Sequence, residues 1–108
     1  MSCREALTAF FQAENRRDWE VYRTFLHEDV VWILHGGEDT EIRGTAAYLE
    51  RIRAAYTGNN STFIVRELRE SGTGNRIAAL LVNDRGERSW EIFDFKDGKI
   101  WREHEFLL

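Results

Sequence analysis

Proline is absent from the 108 residues, cysteine occurs once, and no apolar run approaches the ~20 residues needed to span a bilayer. With no proline there is no proline-rich linker, and turns must rest on glycine with its small polar neighbours. Such clusters recur at Gly36-Gly37, Gly58-Asn59-Asn60, Gly72-Thr73-Gly74, Asp84-Arg85-Gly86 and Asp97-Gly98. The single Cys3 excludes an internal disulfide. The N-terminal stretch carries Arg4 and Glu5 and lacks a signal-peptide core, so a cytoplasmic protein is expected. Basic residues are outnumbered, 15 against 19 acidic, for a formal charge of −4. A nucleic-acid-binding face is therefore not expected. The histidines, His27, His35 and His104, form no His-x-His or His-x-x-x-His pair, so no metal site is expected. No glycine-rich phosphate-cradling loop is present, and no cofactor is expected.

What is present is core material. Apolar residues make up 43% of the chain and aromatics 13%, too much for disorder and enough for one domain over 1–108. Residues 3–16 read as a helix, with Ser2 and Glu5 in capping-box spacing. Leu7, Phe10, Phe11 and Glu14 follow its helical period. Asp18 is a plausible N-cap for a short second helix from Trp19 to Leu26. Asp29 to Leu34 reads as a strand, followed by a loop of glycine and acids. A third helix opens at Gly44-Thr45, with Thr45 as N-cap and Tyr48, Leu49, Ile52 and Tyr56 on one face. Four strands follow: Phe63 to Val65, Ile77 to Val82, Ser89 to Phe95 and Lys99 to Leu107. Short connections between them predict an antiparallel meander. Helices first and an antiparallel sheet after is an α+β order, with a long twisted sheet curling around the helices.

Three segments carry a family resemblance: Asp18-Trp19 with Phe25-Leu26-His27-Glu28-Asp29-Val30-Val31-Trp32, then Arg43-Gly44-Thr45-Ala46-Ala47, then Phe93-Asp94-Phe95-Lys96-Asp97-Gly98-Lys99-Ile100. Together they resemble the SnoaL-like, nuclear transport factor 2-like superfamily across essentially the whole chain. The resemblance implies three helices packed in a strongly curved, mostly antiparallel sheet, a cone with an internal pocket. It also implies dimerisation through the outer sheet surface. It does not imply one function, because this fold hosts isomerases, dehydratases, hydrolases, cyclases and non-catalytic modules.

The hairpin at 95–100 decides the candidate site. Glu91, Phe93 and Phe95 share one strand face; Trp90, Ile92 and Asp94 share the other. A three-residue loop with Gly98 in a left-handed bulge pairs Phe95 with Lys99, Phe93 with Trp101 and Glu91 with Glu103. Glu105 and Leu107 then join the same face. A two-residue loop would instead put Ile100, Arg102, His104 and Phe106 there. The bulged loop is the expected form, because the Phe-x-Phe strand resembles that of ketosteroid isomerases, where the acid two positions earlier faces the cavity. That acid matches Glu91. Crowded carboxylates in such a cone would raise one another's pKa and supply an acid and a base. The same glutamates could instead pair with Arg66, Arg69, Arg88 or Arg102 in a cross-strand ladder.

In those isomerases the catalytic base lies nine residues before the glycine of a Gly-Thr-Ala-Ala start, which here is His35; counting from Asp29 gives Leu34. Phe10 stands where the isomerases carry an oxyanion-binding tyrosine, so ketosteroid isomerisation itself is not expected. Glu91, Glu103 and His35 are therefore the candidate acid/base residues. Trp32, Leu34, Phe10, Phe93, Trp101 and Glu105 are the candidate ligand-binding wall. The expected partner is a small, partly apolar organic molecule, isomerised, dehydrated or hydrolysed without a cofactor. The competing expectation is a non-catalytic binding or dimerisation module with a plugged cone. Under this register Trp90, Ile92, Ile100, His104 and Phe106 would form an apolar outer face, and a homodimer is expected through it.

Overall fold

The computed structural model describes all 108 residues. The chain runs α1 (Cys3–Arg16), α2 (Trp19–Arg23), β1 (Leu26–His35), β2 (Thr40–Arg43), α3 (Thr45–Ala55), β3 (Phe63–Glu70), β4 (Arg76–Asn83), β5 (Arg88–Lys96) and β6 (Lys99–Leu107). The strands form one sheet in the order β2-β1-β6-β5-β4-β3. All neighbours are antiparallel except β1 and β6. The sheet is curved and unclosed, and the helices pack within it, the α+β architecture expected. No helix is long and apolar enough to cross a membrane.

The helix starts follow the sequence. Ser2 and Glu5 form the reciprocal capping box at α1, and the Asp18 carboxylate accepts from the Val21 N–H at α2. Leu7, Phe10 and Phe11 are buried along one face of α1. Phe10 stacks on Tyr22 at 4.0 Å and meets Phe93 edge-on at 6.3 Å, which ties α1, α2 and β5 into one core. Asn15 pairs with both backbone groups of Phe63, at 2.9 and 3.0 Å, and fixes the end of α1 against β3.

Several boundaries differ from the sequence reading. α2 stops at Arg23, because Leu26 already opens β1 and its backbone is needed by the sheet. The acidic loop contains β2, whose Ile42 is buried opposite Trp32. One apolar residue in four was too faint a pattern to read as a strand. The N-cap of α3 is Gly44, at φ 88°, with no side-chain cap. The Thr45 hydroxyl instead donates to the His27 carbonyl at 3.3 Å.

The β5–β6 hairpin follows neither expected register throughout: it takes the two-residue loop as far as Ile100, and a bulge then returns Glu103 and Glu105 to the inward face. Lys96 pairs with Lys99 across a two-residue turn, Asp97 and Gly98, both left-handed at φ 54° and 75°. Ile100 then pairs with Phe95 and is fully buried in the core, not on the outer face. Trp101 is an extra residue in a bulge between Ile100 and Arg102. The bulge restores the inward phase, so Glu103 faces inward opposite Phe93, and Glu105 opposite Glu91. Trp101 is left out of the main cavity. It lies in a shallow crevice beside Arg76 and Asp94, under the Arg102 guanidinium at 3.8 Å.

Candidate functional site

A cavity of about 430 Å³ opens at one end of the curved sheet. Its apolar wall includes Trp32 and Leu34 of β1, Ile52 of α3, Phe63 of β3 and Leu81 of β4. Glu91 of β5 and Glu105 of β6 face into it, together with Glu14 of α1 and Tyr56. Glu103 lies behind this wall, 2% exposed. Oxygens of Glu91, Glu103 and Glu105 all lie within 4.8 Å of one another. No Lys or Arg pairs with any of the three, so the expected alternative of a charge ladder is not formed.

Desolvation governs the protons here. Burial pushes the Glu91 and Glu103 carboxyls well above the usual range, and the neighbouring carboxylates push the same way. Ser89 donates to Glu91 at 2.9 Å and Tyr48 donates to Glu103, which only partly offsets the burial. Glu105 is pushed up to about 7 by burial and by Glu14; the Trp32 N–H and the Arg51 charge pull it back. The Trp32 Nε1–H is buried and acts on Glu105, but makes no hydrogen bond of ordinary geometry. The cluster holds protons near neutral pH, with Glu105 poised to exchange one.

Two tyrosine–carboxyl hydrogen-bonded groups meet behind the cavity. Glu14 accepts from Tyr56 at 2.5 Å and from Tyr22 at 2.9 Å; the Tyr22 and Tyr48 hydroxyls are 3.5 Å apart, and Tyr48 donates to Glu103. Burial raises Glu14 as well, and drives the Tyr22 and Tyr48 hydroxyls further from ionisation. Glu14 and the three tyrosines were not among the sequence-derived candidates. The signal was present: Glu14 is an acid on the same helical stripe as Leu7, Phe10 and Phe11.

The structure brings Glu91, Glu103 and Glu105 together with Trp32 and Leu34. Phe10 and Phe93 are 1% and 0% exposed, and belong to the core beneath the cavity instead of its wall. His35 does not reach the cavity, which corrects its assignment as a base. Leu34 takes the inward position at the end of β1, so His35 points to the outer face. There its Nε2 lies 2.9 Å from His104 Nδ1, its Nδ1 lies 3.2 Å from Asp39, and its ring stacks on Phe106. The histidines that look scattered in the sequence thus include one adjacent pair. The three carboxyls are the cluster close enough to hold a hard cation, which would have to displace the protons that burial keeps on them.

The comparisons agree with this architecture. The family model of the SnoaL-like domain matches residues 7–103. A search of curated proteins finds no matching sequence. Among solved structures, an NTF2-like protein of unknown function from Cytophaga hutchinsonii superposes with a TM-score of 0.82 at 15% identity, over 100% of this chain and 91% of its own. A Mycobacterium tuberculosis protein in complex with estradiol-17beta-hemisuccinate superposes at 0.81 and 20% identity, over 98% and 94%. TerC, co-crystallised with polyporic acid, superposes at 0.82 and 22% identity, over 98% and 91%. At such identities these likenesses show the fold alone.

Proposed function

The chain belongs to the SnoaL-like domain family, and we propose that, as a member, it binds a compact, partly apolar molecule in its cavity and moves a proton on it by carboxyl acid/base chemistry. The observation that carries this is the meeting of three carboxyl groups within 4.8 Å, none in an ion pair, two of them facing the cavity and the third, Glu103, buried directly behind. Such groups are costly to bury, and a set with divergent protonation is suited to proton transfer. Glu91, which keeps its proton, donates to a substrate oxygen. Glu105, with a pKa of about 7, is ionised part of the time at neutral pH and takes a proton from carbon. Glu103 and Tyr48 position and tune this pair from behind. Isomerisation and dehydration fit that pairing, and hydrolysis fits it where Glu105 takes its proton from the attacking water instead of from carbon. The neighbours crystallised with estradiol-17beta-hemisuccinate and with polyporic acid support a small organic ligand.

The test uses 2-tetralone, a neutral bicyclic ketone with acidic carbon–hydrogen bonds. Deuterium exchange at the carbons beside its carbonyl is followed by NMR in heavy water. Wild type is expected to accelerate exchange, and Glu105→Gln to lose most of that rate with binding retained. Binding without acceleration would instead favour the non-catalytic module of the same fold.

We also propose a homodimer through the outer sheet face. Trp90, Ile92 and His104 are half-buried there, beside Phe106 at 37% exposure. Ile100, expected among them from the sequence, is core. Sedimentation velocity at micromolar concentration is expected to give a dimer, and Ile92→Glu a folded monomer. A monomeric wild type would remove this proposal.

A further inference from the structure

The mouth of the cavity differs in charge from its floor. Arg51 of α3, Arg85 on the β4–β5 turn and Arg88 at the start of β5 line the cavity while remaining exposed, which places them at its rim. Arg85 is engaged by Glu87 at 3.6 Å. Arg51 and Arg88 pair with no carboxylate. The other polar rim groups include the amides of Asn59 and Asn83. A chain of net charge −4 thus presents two free guanidinium groups around one opening.

The loop carrying Asn59 is held in place. The Arg17 guanidinium donates to the Asn59 and Ser61 carbonyls at 2.9 and 2.7 Å and lies 3.8 Å over the Tyr56 ring. That rim is therefore built by contacts from the end of α1, and Arg17 is committed to it. Arg51 and Arg88 donate no side-chain hydrogen bond within the chain, and the charge of Arg51 acts on Glu105 only from a distance. Guanidinium is the side chain best matched to a carboxylate, because its planar fork donates two parallel hydrogen bonds. Leu34, Ile52, Ala55, Phe63 and Leu81 supply apolar surface to the same cavity.

We propose that the cavity selects organic anions: an apolar body seated against Leu34, Phe63 and Leu81, with a carboxylate at the mouth held by Arg51 and Arg88. This rests on the cavity reading above and adds the class of ligand to it.

The test compares 2-naphthoate with its neutral isostere 2-naphthamide, by titration calorimetry at pH 7 and low salt. Wild type is expected to bind the anion roughly tenfold more tightly than the amide, the scale of two exposed charge pairs. The Arg51→Gln/Arg88→Gln double variant is expected to lose that preference while keeping its affinity for the amide. An Arg23→Gln/Arg53→Gln variant, which loses the same charge elsewhere, is expected to keep the preference. All four positions are exposed, and circular dichroism checks that each variant folds. Equal binding of the two probes by wild type overturns the anion proposal and leaves the cavity reading standing. A preference that survives in the Arg51/Arg88 variant also overturns it. Failure of both probes to bind removes the cavity reading and this proposal together.

Discussion

At the scale of residues, the chemistry turns on carboxyl groups whose protons are held by burial. Glu91, Glu103 and Glu105 all have folded-state pKa values raised above the ordinary glutamate value of 4.5. Above that value the unfolded chain binds fewer protons than the native one, so stability falls as pH rises. The loss begins near pH 4.5 and continues through the folded pKa of about 7 for Glu105, with Glu91 and Glu103 contributing in the same direction. Glu105 alone accounts for up to roughly 3 kcal/mol of that loss. Wild type is therefore expected to melt at a higher temperature at pH 5 than at pH 8. Glu91→Gln is expected to flatten the slope and to match or exceed wild type at pH 8. A wild-type melting temperature that climbs steadily from pH 5 to 8 would count against the buried cluster. Tyr48→Phe tests the support behind it. Loss of the hydroxyl strips Glu103 of its donor and is expected to cost about 1–3 kcal/mol in urea unfolding. Glu91 was legible in the sequence as an acid in an apolar strand. Glu14 and Tyr48 were not singled out, because an isolated polar atom on an apolar helical stripe does not reveal what it meets across the core.

At the scale of elements, the sequence carried most of the fold and missed one phase. α1 matches its reading to the residue because a capping box and a regular apolar stripe define both ends. The order of the last four strands also follows, from short connections alone. The β5–β6 register could not be read, since both alternatives assumed regular alternation after the turn. The two-residue turn sets one phase at Ile100, and the Trp101 bulge resets it before Glu103. Nothing in Lys-Ile-Trp-Arg-Glu-His-Glu marks where the extra residue sits. The same reversal moved Trp101 out of the cavity and Ile100 into the core. His35 failed for a related reason: one position along β1 separates the cavity face from the outer face, and Leu34 holds the inward one. The turn itself is open to test. Gly98 has φ 75°, and a methyl group at its Cα would have nothing within 4 Å, so Gly98→Ala meets no clash. It is expected to cost about 1 kcal/mol, from left-handed backbone strain alone. A neutral or stabilising result in urea unfolding would contradict the turn geometry.

At the scale of the whole molecule, the curved sheet divides the chain's chemistry into two faces. The inner face combines an aromatic core with a cavity whose floor is carboxylic and whose rim carries arginine. The outer face carries Trp90, Ile92 and Phe106 with the Asp39–His35–His104 group, and it is where a second copy is proposed to dock. The resemblance read from Asp18-Trp19, Arg43-Gly44-Thr45 and the 93–100 hairpin was enough to place the chain in its family. It could not say which chemistry the cavity holds, because that depends on side chains the fold leaves free to vary.

The protons of the cavity floor can be observed directly by titrating the glutamate side-chain carboxyls with carbon-13 NMR, from pH 3 to 9, with assignments from Glu91→Gln, Glu103→Gln and Glu105→Gln. One carboxyl is expected to have its midpoint near 7 and to vanish in Glu105→Gln, and two more are expected to titrate well above the usual glutamate range. Titration of every glutamate between roughly pH 4 and 5, the range of solvated carboxyls, would contradict a buried proton-holding cluster.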